Sequence, residues 1–210
     1  MKAKLEEARL YGICDLGYLA LEDALSSSRE LLKGGVGILQ LRAKEHDPND
    51  LLDLAKGLQD LCEEFEVPFV VNDHLQLALD SRAHGLHLGQ DDGALQAARD
   101  SLPEDVIIGR STHSLLQAQD ALAEGADYIG FGPLFPTPTK LGRPGIGLDE
   151  VKKMEATVGC EIPAFCIGGV VPDRLEGIIA SGARRVVVVS HLLQASNITE
   201  ATNKVSKQLI

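Results

Sequence analysis

Positive charge is in short supply in this sequence. It has 20 Lys and Arg against 31 Asp and Glu, a formal net charge of -11 and a pI of about 4.9. That balance speaks against nucleic acid or an anionic membrane surface as the main partner. It leaves room for a small anionic ligand held by a few local cations. Long apolar runs are missing too. The longest, VVVV at 186–189, is strand length, far short of the roughly 20 residues a membrane helix needs. The opening KAKLEEARL is charged and does not read as a signal peptide. The four cysteines, Cys14, Cys62, Cys160 and Cys166, form no CxxC and no His/Cys cluster of zinc spacing. They are expected to be reduced, buried thiols of a cytoplasmic protein, with Cys14 and Cys166 packed inside apolar runs. No linker, charge block or low-complexity segment divides the 210 residues, so a single domain over 1–210 is expected.

What the sequence does have is a rhythm. Short apolar or β-branched runs recur eight times: LYGICD (10–15), GILQLR (37–42), PFVVND (68–73), GLHLG (85–89), VIIGRS (106–111), YIGFGP (128–133), AFCIGG (164–169) and RVVVVS (185–190). Continuous apolar runs of this length fit strands buried on both faces. Amphipathic segments lie between them. One, at 47–65, places Leu51, Leu52, Leu54, Ala55, Leu58, Leu61 and Cys62 on one face. A second, at 113–126, does the same with Leu115, Leu116, Ala118 and Leu122, and ends at Gly125. A third starts at Pro172 and Asp173 and ends near Gly182. Strands alternating with helices imply parallel βαβ units. Eight of them predict an α/β fold, a single (β/α)8 TIM barrel, over a doubly wound open sheet.

In such a barrel the C-terminal ends of the strands build the active site. Here they carry Asp15, Gln40, Arg42, Lys44, Asn72, Asp73, His87, Gln90, Asp92, Ser111, His113, Thr137, Thr139, Lys140, Gly168, Gly169 and Ser190. In QLRAK, Gln40, Arg42 and Lys44 share one side of an extended chain, and the two cations suit an oxyanion or phosphate. Asn72 and Asp73 could simply cap the following helix. Alternatively, Asp73 and an aspartate of GQDD follow adjacent strands about 5 Å apart, near enough to share a Mg2+ ion together with phosphate oxygens. Spacing leaves Asp91 and Asp92 equally eligible. The Pro- and Gly-rich segment 133–147 reads as a long functional loop around Thr137, Thr139 and Lys140. Gly168-Gly169 after strand seven and Ser190 after strand eight sit where barrels commonly bind phosphate through backbone N–H groups. Two anion sites on one rim imply an enzyme that joins or rearranges phosphorylated small molecules.

These motifs, QLRAK, VND, HLGQDD, GRSTHS, GADYIGFGPLFPTPTK, IGG and VVVVS, occur in the order found in thiamin phosphate synthases, a family the chain resembles over essentially its whole length. The resemblance implies a magnesium-dependent transferase of thiamine biosynthesis. It would couple a hydroxymethylpyrimidine pyrophosphate to a thiazole phosphate, with or without a carboxyl on the thiazole, and release pyrophosphate. It further implies that Gln40 and His87 lie by the pyrimidine, with Ser111 near the reacting centre. Arg42, Lys44, Asn72 and Lys140 would hold pyrophosphate, and Asp73 and Asp92 would bind Mg2+. Thr137 and Thr139 would contact the thiazole, whose phosphate falls to Gly169, Val189 and Ser190. Lys140, Ser111 and Arg42 are the expected catalytic groups. Arg110, His191 and the LGRPGIG segment depart from the family pattern. Three rivals remain: a thiazole tautomerase of the same superfamily using His113 as acid/base, a sugar-phosphate isomerase or aldolase barrel, and a non-catalytic barrel that binds thiamin phosphate. A homo-oligomer is left open.

Overall fold

The structure is a computed structural model and describes residues 1–136 and 145–209. The elements run α1 (Lys2–Glu7), β1 (Leu10–Asp15), α2 (Ala24–Lys33), β2 (Ile38–Arg42), α3 (Leu52–Glu64), β3 (Phe69–Asn72), α4 (Leu75–Asp80), β4 (Gly85–Leu88) and α5 (Leu95–Ser101). They continue with β5 (Ile107–Thr112), α6 (Leu115–Ala123), β6 (Tyr128–Phe131), α7 (Leu148–Thr157), β7 (Ala164–Cys166), α8 (Pro172–Ala180), β8 (Val186–Val188), α9 (Ser190–Leu193) and α10 (Ile198–Ser206). The strands close in sequence order, β1 through β8, and β8 pairs parallel with β1. This is the eight-stranded barrel the rhythm predicts.

The apolar runs are continuous because successive residues face two different cores. Inward positions Tyr11, Ile13, Ile38, Val70, Ile107, Tyr128, Phe165 and Val187 form the barrel interior, joined from below by Leu5 of α1 and Ala8 just after it. Their outward neighbours, among them Leu10, Leu39, Phe69, Leu86, Ile108, Ile129 and Val186, pack under the surrounding helices. Alternation therefore separates two apolar environments here, where a one-sided sheet would separate apolar from polar. The helices obey their patterns with two corrections. On α3 the expected stripe is buried except Leu52, which is partly exposed. On α6 the buried residues are Ala118 and Ala121, while Leu116 is 67% exposed and lies off the expected face. Pro172 opens α8 at its first turn, and Gly125 and Gly182 follow α6 and α8 with positive φ.

Two further expectations are corrected. Cys14, Cys62 and Cys166 are buried, but Cys160 is exposed. Neither Asn72 nor Asp73 caps α4. The N-cap is His74, with no side-chain cap bond, and Asp73 lies one residue earlier with φ +65°. The turn lifts Asp73 off the helix axis and toward the barrel mouth, where its N–H donates to the His87 carbonyl at 2.9 Å.

Candidate active site

Eleven of the residues picked out by sequence meet in one place. Gln40, Arg42, Lys44, Asn72, Asp73, His87, Asp92 and Ser111 line a cavity of about 430 Å³ at the barrel mouth, with Gln90, Asp91 and His113. Its floor is aromatic and aliphatic: Tyr11, Tyr128, Phe165, Ile13, Ile167 and Val187. A few polar groups converging over an apolar floor are the usual form of a small-molecule site. Thr137, Thr139 and Lys140 fall outside the described residues. Gly169, Val189 and Ser190 lie at the same end of the barrel, after β7 and β8, but are not among the residues lining this cavity.

Register explains the pairs at the mouth. Asp15 and Arg42 are neighbours across β1 and β2, and Arg42 Nη1 donates to Asp15 Oδ2 at 2.8 Å. Asp15 is almost wholly buried and also accepts from the Gly17 N–H. It therefore aims the guanidinium and leaves Arg42's other N–H groups for a ligand. Lys44 Nζ stands 3.1 Å from Asp73 Oδ2. The Asp73 carboxyl also meets Asp92, not Asp91. Burial, then the facing Asp92 carboxyl, pushes the Asp73 pKa up, and Lys44 pulls against that. Burial opposes ionisation of Asp92 as well, but hydrogen bonds from Asp73 and the Gly89 N–H, with Lys44 and Arg110 nearby, hold its carboxyl below the usual range. Two facing carboxyls are an oxygen-rich place for a hard cation. Among the described residues no group of three or more His, Cys, Asp or Glu could hold a metal, so a cation here would need oxygens from elsewhere.

The loop bearing Asp92 is tied to β5 on both sides. Gln90 Nε2 donates to the Ser111 carbonyl at 2.6 Å, and Arg110 Nη1 donates to the Gly93 carbonyl at 2.8 Å. Arg110, odd in the sequence pattern, thus points away from the cavity and holds the acidic loop. His191 is exposed on α9. His113 Nδ1 lies 2.5 Å from the Gly132 carbonyl.

Sequence reading missed the floor. His87 Nε2 lies 2.9 Å from Ser111 Oγ, His87 Nδ1 3.0 Å from Tyr128 Oη, Tyr128 Oη 2.9 Å from Tyr11 Oη, and Gln40 Nε2 2.9 Å from Tyr11 Oη. The one signal available was a tyrosine in each of two strands otherwise apolar inward. Gly109 makes room for it, since a Cβ there would overlap the Tyr128 ring. At Gly168 and Gly169, φ of +99° and +65° turns the β7–α8 loop tightly, and Arg174 donates to the Gly169 carbonyl over the Phe135 ring.

The family profile described as thiamine monophosphate synthase matches residues 10–192. A thiamine-phosphate synthase of Nostoc sp. is 40% identical over 205 residues, 98% of this chain and 57% of that protein. The chain thus spans little more than half the length of such cyanobacterial relatives. One from Acidothermus cellulolyticus is 39% identical over 210 residues, 100% of this chain and 98% of its own. Among solved structures, a thiamine phosphate pyrophosphorylase from Pyrococcus furiosus superposes with TM-score 0.87 at 31% identity, covering 99% of this chain and 96% of that one.

Proposed function

The chain belongs to the thiamine monophosphate synthase family, and from that premise we propose that it transfers a pyrimidinylmethyl group from its pyrophosphate ester to a thiazole phosphate. The products are thiamin phosphate and pyrophosphate. The observation that carries the reading is one cavity holding buried Gln40 and His87 with Ser111 beside a Lys44–Asp73–Asp92 cluster and an aimed Arg42. A flat heteroaromatic ring fits over the floor between Gln40, His87 and Ser111. Its pyrophosphate falls toward Arg42, Lys44 and Asn72, and by family resemblance toward Lys140. Val189, Ser190 and Gly169 are assigned the thiazole phosphate, and Thr137 and Thr139 the thiazole itself, on that resemblance alone.

Asp73 and Asp92 are the residues that would hold Mg2+. Their facing carboxyls are hard donors, and two protein ligands leave positions for phosphate oxygens. The ion would supply positive charge against the departing pyrophosphate. The chain's own residues do the rest by position. Arg42 and Lys44 meet charge that grows on the leaving group as the carbon–oxygen bond breaks. The floor holds the ring so that the thiazole nitrogen meets the carbon, replacing a bimolecular encounter by a fixed geometry. No general base is required, because the attacking nitrogen carries no proton to lose. Cytoplasmic location belongs to this reading as well.

The test is release of pyrophosphate from both substrates together, with and without Mg2+, beside an assay of thiazole tautomerisation. Metal-dependent pyrophosphate release is the expected result. Tautomerisation alone would move the chain to the related branch, and binding of thiamin phosphate without turnover would make it a non-catalytic barrel.

A further inference from the structure

The five polar groups under the cavity can carry their protons in only a few ways. Tyr11 and Tyr128 are almost wholly buried beneath the cavity, and burial pushes both phenols' pKa up, so each keeps its single proton. Gln40 Nε2 can only donate, so Tyr11 Oη accepts from it at 2.9 Å. The Tyr11 proton is then left for Tyr128 Oη, the other oxygen within reach. If Tyr128 donated to Tyr11 instead, the Tyr11 proton would have no acceptor among its neighbouring side chains, and an unpaired buried donor is costly. Tyr128, accepting from Tyr11, has its own proton free for His87 Nδ1 at 3.0 Å. An accepting Nδ1 puts the proton of the neutral ring on Nε2, which donates to Ser111 Oγ at 2.9 Å.

We propose that Tyr11 and Tyr128 are positioning residues that fix His87 as its Nε2–H tautomer and thereby turn the Ser111 hydroxyl into a hydrogen-bond donor toward the cavity. All five groups form one directed chain from Gln40 to Ser111. Its direction is set at Gln40: an amide presenting oxygen to Tyr11 would reverse every bond and make Ser111 donate to His87. Fixing the direction leaves the Gln40 carbonyl as an acceptor and Ser111 as a donor on the ligand side. Such a pair selects a ring that offers a donor at one edge and an acceptor at another. It rejects a ring of the same shape with the two exchanged, since buried polar groups would then face like against like. This selectivity rests on the synthase reading of the cavity. The tautomer does not, because it is a property of the ligand-free protein.

The experiment is long-range 1H–15N correlation on the full chain labelled at histidine, with the His87 signals identified by their loss in His87→Asn. A pyrrole-like Nε2 and a pyridine-like Nδ1 are expected, and the opposite assignment overturns the proposal. Gln40→Glu at mildly alkaline pH presents only acceptors to Tyr11, so His87 should switch to Nδ1–H. A folded variant that keeps Nε2–H overturns it too. Tyr128→Phe keeps the ring contacts with Tyr11 and Phe165 while breaking the chain. It should give a mixture of tautomers and lower kcat/KM about tenfold, the value of one hydrogen bond of about 1.4 kcal/mol. A single undisturbed tautomer in that variant would count against the chain, and an unchanged kcat/KM against its part in selection. If the unaltered protein shows the expected tautomer but releases no pyrophosphate, the synthase reading fails and the chain stands.

Discussion

Asp73 combines a costly backbone with a costly charge. A non-glycine residue at φ +65° gives up roughly 1–2 kcal/mol, less for Asp or Asn, whose short polar side chains suit that region. Its carboxyl is raised by burial and by Asp92. Strain and like charge gathered at a cavity mouth are retained for what they do there. Asp73→Asn should therefore fold as well as the parent or better, because it keeps the backbone preference and removes a disfavoured charge. Its turnover in the pyrophosphate assay should fall by about 10²-fold, as for loss of a charge partner of the transition state. A matching fall in melting temperature would show instead that the carboxylate supports the fold. The cysteines divide just as cleanly. Burial raises the Cys14 thiol to about 11 and pushes Cys62 and Cys166 up as well, whereas Cys160 is exposed. Titration of the native protein with a disulfide reagent at neutral pH should modify Cys160 rapidly, and the other three only after denaturation.

At the scale of elements, single side chains fasten loops to strands. Asp127, just before β6, accepts from Arg99 of α5 at 2.5 Å, from the Ile108 N–H at 2.8 Å and from Lys2 of α1 at 2.9 Å. Burial alone would raise its pKa, but those three partners hold it below the ordinary carboxylate value. A depressed folded pKa contributes stability that is present above the unfolded pKa and lost as pH falls through the folded one. Asp127→Asn should thus destabilise the protein at neutral pH, and the gap between the two melting temperatures should close in strong acid. Arg110 fastens the Asp92 loop in the same manner. Arg110→Met, which fills similar space, should weaken Mg2+ binding in the presence of pyrophosphate roughly tenfold by calorimetry, with the fold retained. Sequence read α6 and α4 less well than the strands. The stripe on α6 takes in Leu116, which is exposed, and leaves out Ala121, which the helix buries together with the expected Ala118. Asp73 looked like a cap because capping and loop chemistry favour the same residue types.

For the whole molecule, closure of the barrel makes one interior out of residues from every strand, with α1 beneath it. Leu5 and Ala8 enter that interior beside Tyr11, Ile38 and Tyr128. Leu5→Ala should cost about 2–5 kcal/mol in a denaturant titration, as for other buried leucines. A loss under 1 kcal/mol would mean that the floor does not depend on α1 for its packing. The same closure gives the family likeness its physical content. The likeness runs over residues 10–192, the span that includes all eight strands. The sequence by itself determined the eight strands, because burial on both faces leaves an unbroken apolar run. It also marked the strand ends at which polar side chains gather, because a polar residue stands out at the end of such a run. Only the tertiary structure decided that Asp92 rather than Asp91 meets Asp73, that Asp15 aims Arg42, and that two tyrosines wire Gln40 to Ser111. Those are contacts between strands far apart in the chain, set by barrel register and by the space left at Gly109, and no local spacing encodes them.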